Sequence, residues 1–266
     1  MSDHLHNHSP ADTNATTLHN AGHLSEEHLK GARYESRISR EGAGDLGHQG
    51  FYKRVGNPGL IGLTAHAVTL MLIGCQAMMF RGVTIANAFV GNLFFFAGAY
   101  MFVACIFTMI KGETFSSMVF ATFGGFYWSY AAILTPAFGV AAAFGDDAVG
   151  LNNALAIFLL VWNGAFTCIW LASLRTNIAL VVVFFGVIMG VWFLAGAYIE
   201  MAKLVGQGLT TSSTHRALSK TGGAFLFISA CSGFYLVLVQ VFEAVDMPFA
   251  LPVGDLSRFW PKKKRA

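Results

Sequence analysis

Asn57-Pro58-Gly59-Leu60-Ile61-Gly62-Leu63 opens a stretch with no charged side chain until Arg81. A helix that begins this way turns free backbone N–H groups and a side-chain amide toward whatever lies at its N-terminus. It is a candidate anion-handling element at the end of a long apolar segment.

Five further charge-free runs follow the first, at 55–80, 82–110, 114–145, 148–174, 176–199 and 221–242. Each reaches the ~20 residues that cross about 30 Å of hydrocarbon as a helix. Apolar residues make up 55% of the chain and charged ones 12%, with a mean hydropathy of +0.57, against roughly 25% charge in a soluble domain. The runs are continuously apolar and rich in Phe and Gly, without the period-two alternation of a transmembrane barrel. The fold class read from this pattern is all-α: a polytopic membrane protein of six transmembrane helices, spanning residues 51–245.

Residues 1–50 have a different composition. They hold seven of the nine histidines, seven acids and four Lys or Arg, too little aliphatic surface to fold alone, and read as a disordered His-rich cytoplasmic tail. The His4-x-His6-x-His8 run offers imidazoles to a divalent ion but no fixed geometry, and no metal site is assigned. The polar start has no signal-peptide h-region. Residues 246–266 read as a basic cytoplasmic tail ending in Lys262-Lys263-Lys264-Arg265, an orientation and anionic-lipid signal rather than a nucleic-acid element. With the N-terminus inside, inner segments carry Lys53, Arg54, Lys111, Arg175 and the C-terminal cluster. Outer loops carry Arg81, then Asp146 and Asp147, then Lys203, Arg216 and Lys220. The bias places both termini in the cytoplasm, and the expected location is the plasma membrane.

Motifs for soluble catalysis are absent, the spans contain no carboxylate pair, and the four cysteines lack metal or redox spacing. No enzyme activity and no cofactor are assigned. The spans instead hold neutral polar groups, among them Asn57, Gln76, Asn92, Asn163 and Gln240, which must face helix interfaces, a cavity or the membrane surface. His66, nine residues after Asn57, divides evenly between a neutral histidine satisfied by a neighbour and a pore-lining, titrating one. Phe123-Gly124-Gly125-Phe126-Tyr127-Trp128-Ser129-Tyr130 in the third span combines glycines that admit close approach with rings that narrow a path. Gly186-x-x-x-Gly190 in the fifth reads as a helix contact.

The opening heptapeptide, the Phe-Gly-Gly-Phe-Tyr-Trp-Ser-Tyr stretch, Trp162, Phe166 and Thr167 before Ser173-Leu174-Arg175, and the six-span plan together resemble the YaaH-like acetate uptake transporter family, the succinate-acetate permeases. The resemblance covers roughly residues 50 to 245, and the polar N-terminal tail looks like that of fungal members. The family's first motif reads Asn-Pro-Ala-Pro-Leu-Gly-Leu. Here Asn57, Pro58, Gly62 and Leu63 match, Ile61 is a mild change, and Gly59 and Leu60 depart.

The resemblance implies proton-coupled uptake of acetate and related small monocarboxylates by a homo-oligomer, a hexamer with one pathway per protomer. Asn57, Pro58, Gly59, Gly62 and Leu63 then bind substrate. The family's Phe, Tyr and Leu constriction falls on His66, Phe123 and Val187, all three changed. A small specificity residue falls on Gly233, just before Tyr235. Joined to the residue reading, this has a carboxylate enter an outer vestibule, lose water against Asn57 and the N–H groups near Gly59, and then meet His66, whose protonated ring offsets its charge. The alternatives are a passive channel for small neutral or anionic solutes, ammonium export, and a sensor without flux.

Overall fold

The computed structural model describes residues 56–259; the His-rich segment 1–50 and the Lys262–Arg265 cluster lie outside the described residues. Six helices there are long and apolar enough to cross a membrane. Four begin on a side chain able to accept a backbone N–H. Asn57 precedes α1 (Pro58–Ala77), with Pro58 at the first helical position, where its missing N–H costs nothing. Its Oδ1 accepts the Gly59 N–H at 3.0 Å. Asp147 starts α5 (Ala148–Ser173) by accepting from Gly150 at 2.7 Å. Asn177 and Ser212 do the same for α6 (Ile178–Gly206) and α7 (Ser213–Ala244), at 2.9 and 3.0 Å.

The second span is shorter than its charge-free run. Residues 80–89 form two short 3-10 turns, Phe80–Gly82 and Ala86–Phe89. The span itself runs Asn92–Ile110. Its first part, Asn92–Gly98, is π-helical and leads into α2 (Ala99–Ile110). A π turn displaces carbonyls from their usual partners, and the Trp128 indole N–H donates to the Phe94 carbonyl at 3.0 Å. Gly98 lets that indole lie against the backbone. Gly112, at φ 77°, takes the left-handed conformation that turns the chain into α3 (Thr114–Leu134). That helix stops ahead of Pro136, where the proline ring disfavours helical geometry in the preceding residue. A short α4 (Val140–Phe144) follows.

Packing follows the order of the sequence and closes on itself. Neighbours are α1 with α2, α2 with α3, α5 with α6, α6 with α7, and α7 with α1. The α3–α5 side has few backbone contacts and is closed by rings: Phe126 meets Phe158, Trp162 and Phe166 at 5.7, 5.6 and 5.3 Å between centroids. The helices thus surround a central space. Gly186 and Gly190 do serve as a helix contact, with the Phe225 and Gly222 carbonyls against them. The outer surface is apolar, with Phe95 78% and Val161 71% exposed, as suits a surface solvated by lipid.

The end of the described chain does not hang free. Beyond α7, Leu256 N–H donates to the Thr176 carbonyl and Ile178 N–H to the Gly254 carbonyl, both at 2.9 Å. Tyr235 donates its hydroxyl to Pro252 at 2.6 Å. The tail expected from residue 246 onward is therefore strapped across the α5–α6 turn through residue 256, because that turn's backbone groups need partners.

Candidate functional site

A cavity of about 540 Å³ lies inside the ring of helices. Its upper wall includes Gln76, Thr84, Thr210 and Arg216, so it opens on the face opposite both ends of the bundle. Phe123, Tyr127, Phe166 and Val187 line its depth. Phe123 stacks on Phe166 at 4.5 Å, nearly parallel, and on Phe184 at 5.8 Å. All four rings and Val187 are buried, and parallel displaced stacking holds such a floor rigid.

His66 touches this floor without lining the cavity. Its ring meets Phe123 edge-on at 4.4 Å, and its Nδ1 lies 3.0 Å from the Tyr127 hydroxyl. The side chain is 3% exposed, and Nε2 has no hydrogen-bond partner. A buried polar atom without a partner is uncommon. Of the expected trio, His66 meets Phe123, and Phe123 and Val187 line the same cavity. Tyr127 was not singled out, although it stands one turn after Phe123, the i+4 spacing that puts both on one helix face. Its phenol hydroxyl stands beside His66, one turn along α3 from Phe123.

The heptapeptide lies elsewhere. Asn57 stands at the opposite end of α1 from the cavity, with His66 and Phe123 between them. Asn57 and the cavity therefore lie on opposite sides of the His66–Phe123 contact. Nor is the Asn57 amide idle: besides capping Gly59 it donates from Nδ2 to Gln240 Oε1 at 2.9 Å. The Gly59 N–H is consequently taken rather than free. Pro58 and Leu63 are buried, and Gly62 packs so tightly that a Cβ there would meet Phe120 at 2.5 Å. Gly233 is buried against Ala67, with 3.1 Å from an added Cβ to the alanine methyl. It lets α7 approach the α1 segment carrying His66 and does not line the cavity, because its open side is filled by α1. Tyr235 is engaged by the C-terminal strap.

Asn163, on α5, donates to the Ile188 carbonyl at 3.3 Å with its Oδ1 unpartnered. No group of three or more metal-ligating side chains occurs among the described residues.

The cavity ends on an aromatic floor with one unpartnered imidazole nitrogen behind it. The family model for GPR1/FUN34/yaaH matches residues 45–258. The chain belongs to the GPR1/FUN34/yaaH family. It is 34% identical to "Protein alcS" of Aspergillus fumigatus, over all of this chain and 98% of the relative. It is 32% identical to the "Acetate transporter protein patA" of Penicillium expansum, over 80% of this chain and 83% of that protein. Among solved structures, the bacterial acetate channel SatP superposes with a TM-score of 0.62 at 22% identity, covering 76% of this chain and all of that one. That likeness shows the fold. Several relatives are named as acetate transporters or permeases, and this protein is a multi-pass membrane protein of that family, not an enzyme.

Proposed function

We propose that this protein carries acetate and related small monocarboxylates across the membrane through the central cavity and the His66/Phe123/Tyr127/Val187 constriction, with net uptake accompanied by a proton. The observation that carries this reading is the unpartnered His66 Nε2 behind an otherwise aromatic and aliphatic floor. With Tyr127 donating to Nδ1, the neutral tautomer presents Nε2–H as a lone donor, suited to one oxygen of a carboxyl group. Moving an ionised carboxylate past Phe123 and Phe166 would strip its water with no cation to replace it. The neutral acid avoids that cost, so the proton rides on the substrate while His66 orients it. This replaces a protonated His66 by a neutral donor. Homologous proteins named for acetate transport support the substrate class.

The same reading places the protein in the plasma membrane with both termini cytoplasmic, on the distribution of Lys and Arg, and assembles it as a homohexamer, on the family resemblance. Asn57, Pro58, Gly59, Gly62 and Leu63 shape the far exit rather than the entrance, and Gly233 sets selectivity through the position of α1.

Reconstitution into liposomes with labelled acetate tests this directly. Saturable accumulation driven by an imposed proton gradient is expected. Flux that ignores the gradient would make the protein an anion channel, and no flux would overturn the transport reading.

A further inference from the structure

We infer that Arg216, at the cavity mouth, is a carboxylate-capture residue that collects the anion before it loses charge at the floor. The inference deepens the transport reading and rests on it. The residues lining the cavity include no Asp or Glu, and Arg216 is the single Lys or Arg among them. The side chain is exposed, and it makes no ion pair among the described residues. The carboxylate on the neighbouring α6, Glu200, accepts from Ser212 at 3.3 Å.

Around Arg216 the lining is polar: Thr210, Thr211, Asn152 and Ser219 share the mouth, and His215, its adjacent neighbour, is fixed through Nδ1 to the Ala197 carbonyl at 3.0 Å. Toward the floor the lining becomes Phe123, Phe166 and Val187. A monocarboxylate meeting this gradient leaves its charged end at the guanidinium, which offers paired N–H donors matched to a carboxylate. Its alkyl end then points into the apolar depth. The charge must be lost for it to go further. Two tasks are therefore split between two levels of one cavity: concentration of the anion at Arg216, and passage of the acid at His66. A lone cation in a cavity mouth without acids raises local anion concentration in a salt-dependent way.

The test is the initial rate of labelled acetate entry into liposomes bearing the full-length protein, Arg216→Gln or Arg216→Lys, at low and high ionic strength, with acetamide as a neutral solute of equal size. Arg216→Gln is expected to raise the half-saturating acetate concentration by about fivefold, as suits an exposed charge pair. It should also abolish salt dependence and leave the saturating rate and acetamide entry unchanged. Arg216→Lys should keep most of the salt dependence. Equal half-saturation and equal salt response in wild type and Arg216→Gln would overturn the inference, as would a parallel loss of acetamide entry. If the wild type passes no acetate, the transport reading fails. Acetate binding to the detergent-solubilised protein, followed by saturation-transfer NMR, then decides Arg216 alone: loss in Arg216→Gln sustains capture, and equal binding refutes it.

Discussion

The Tyr127 hydroxyl lies 3.0 Å from His66 Nδ1, joining α3 to α1 in the buried interior of the bundle. The contact engages Nδ1 of the imidazole and leaves Nε2 without a partner. A ring that looks isolated in the sequence is therefore oriented by its neighbour.

His66→Phe is expected to slow acetate uptake by about tenfold, the loss of one buried donor. The pH profile between 5 and 7 should keep its shape, because the proton travels on the substrate. Uptake of labelled acetate in a transport-null host measures both. A flattened profile would mean that His66 itself is the proton carrier.

Tyr127→Phe leaves Nδ1 of a buried His66 without its partner, at a cost of about 1–3 kcal/mol. A lowered melting temperature in detergent is expected. The double variant with His66→Phe should recover part of that loss, since two apolar rings leave nothing unpaired.

Gly62→Ala should be more damaging than Gly233→Ala. An added methyl at Gly62 meets Phe120 at 2.5 Å and Ala104 at 2.9 Å, whereas at Gly233 the nearest atom is the Ala67 methyl at 3.1 Å. Folded yield and melting temperature rank the two. Greater loss for Gly233→Ala would contradict the packing described here.

Asp255 stabilises the strap by accepting the Ser257 N–H at 2.8 Å. This backbone hydrogen bond, helped by the Ser257 side chain and then Arg258, holds its carboxyl below the usual carboxylate range. A depressed folded value contributes stability above the ordinary carboxylate pKa and loses it as pH falls through the folded value. Hydrogen exchange in residues 251–259 should accelerate on acidification below that range, and Asp255→Asn should remove the pH dependence.

The spans were legible because lipid solvation demands long charge-free runs, and helices appear in all six. Boundaries inside those runs were less so. The 82–110 run hides two short turns and a π-helical start, since uncharged loop residues look like span to a composition argument. The family resemblance pairs His66 with Phe123, whose rings do meet, yet the Tyr127 contact depends on how α3 rotates against α1. The position of Asn57 relative to the cavity required knowing which end of the bundle is hollow. The strap of residues 251–256 left no trace in hydropathy because its bonds are backbone to backbone.

The ring of helices runs in sequence order, and its first and last members meet where Asn57 donates to Gln240. Because an even number of spans returns the chain to its starting face, the circuit has no privileged beginning. Joining residue 245 to residue 57 by a short linker and reopening the chain between α4 and α5 would move both termini to the opposite face while leaving every helix with its present neighbours. The architecture is in that sense a closed loop cut once, and the Asn57–Gln240 amide pair is the seam.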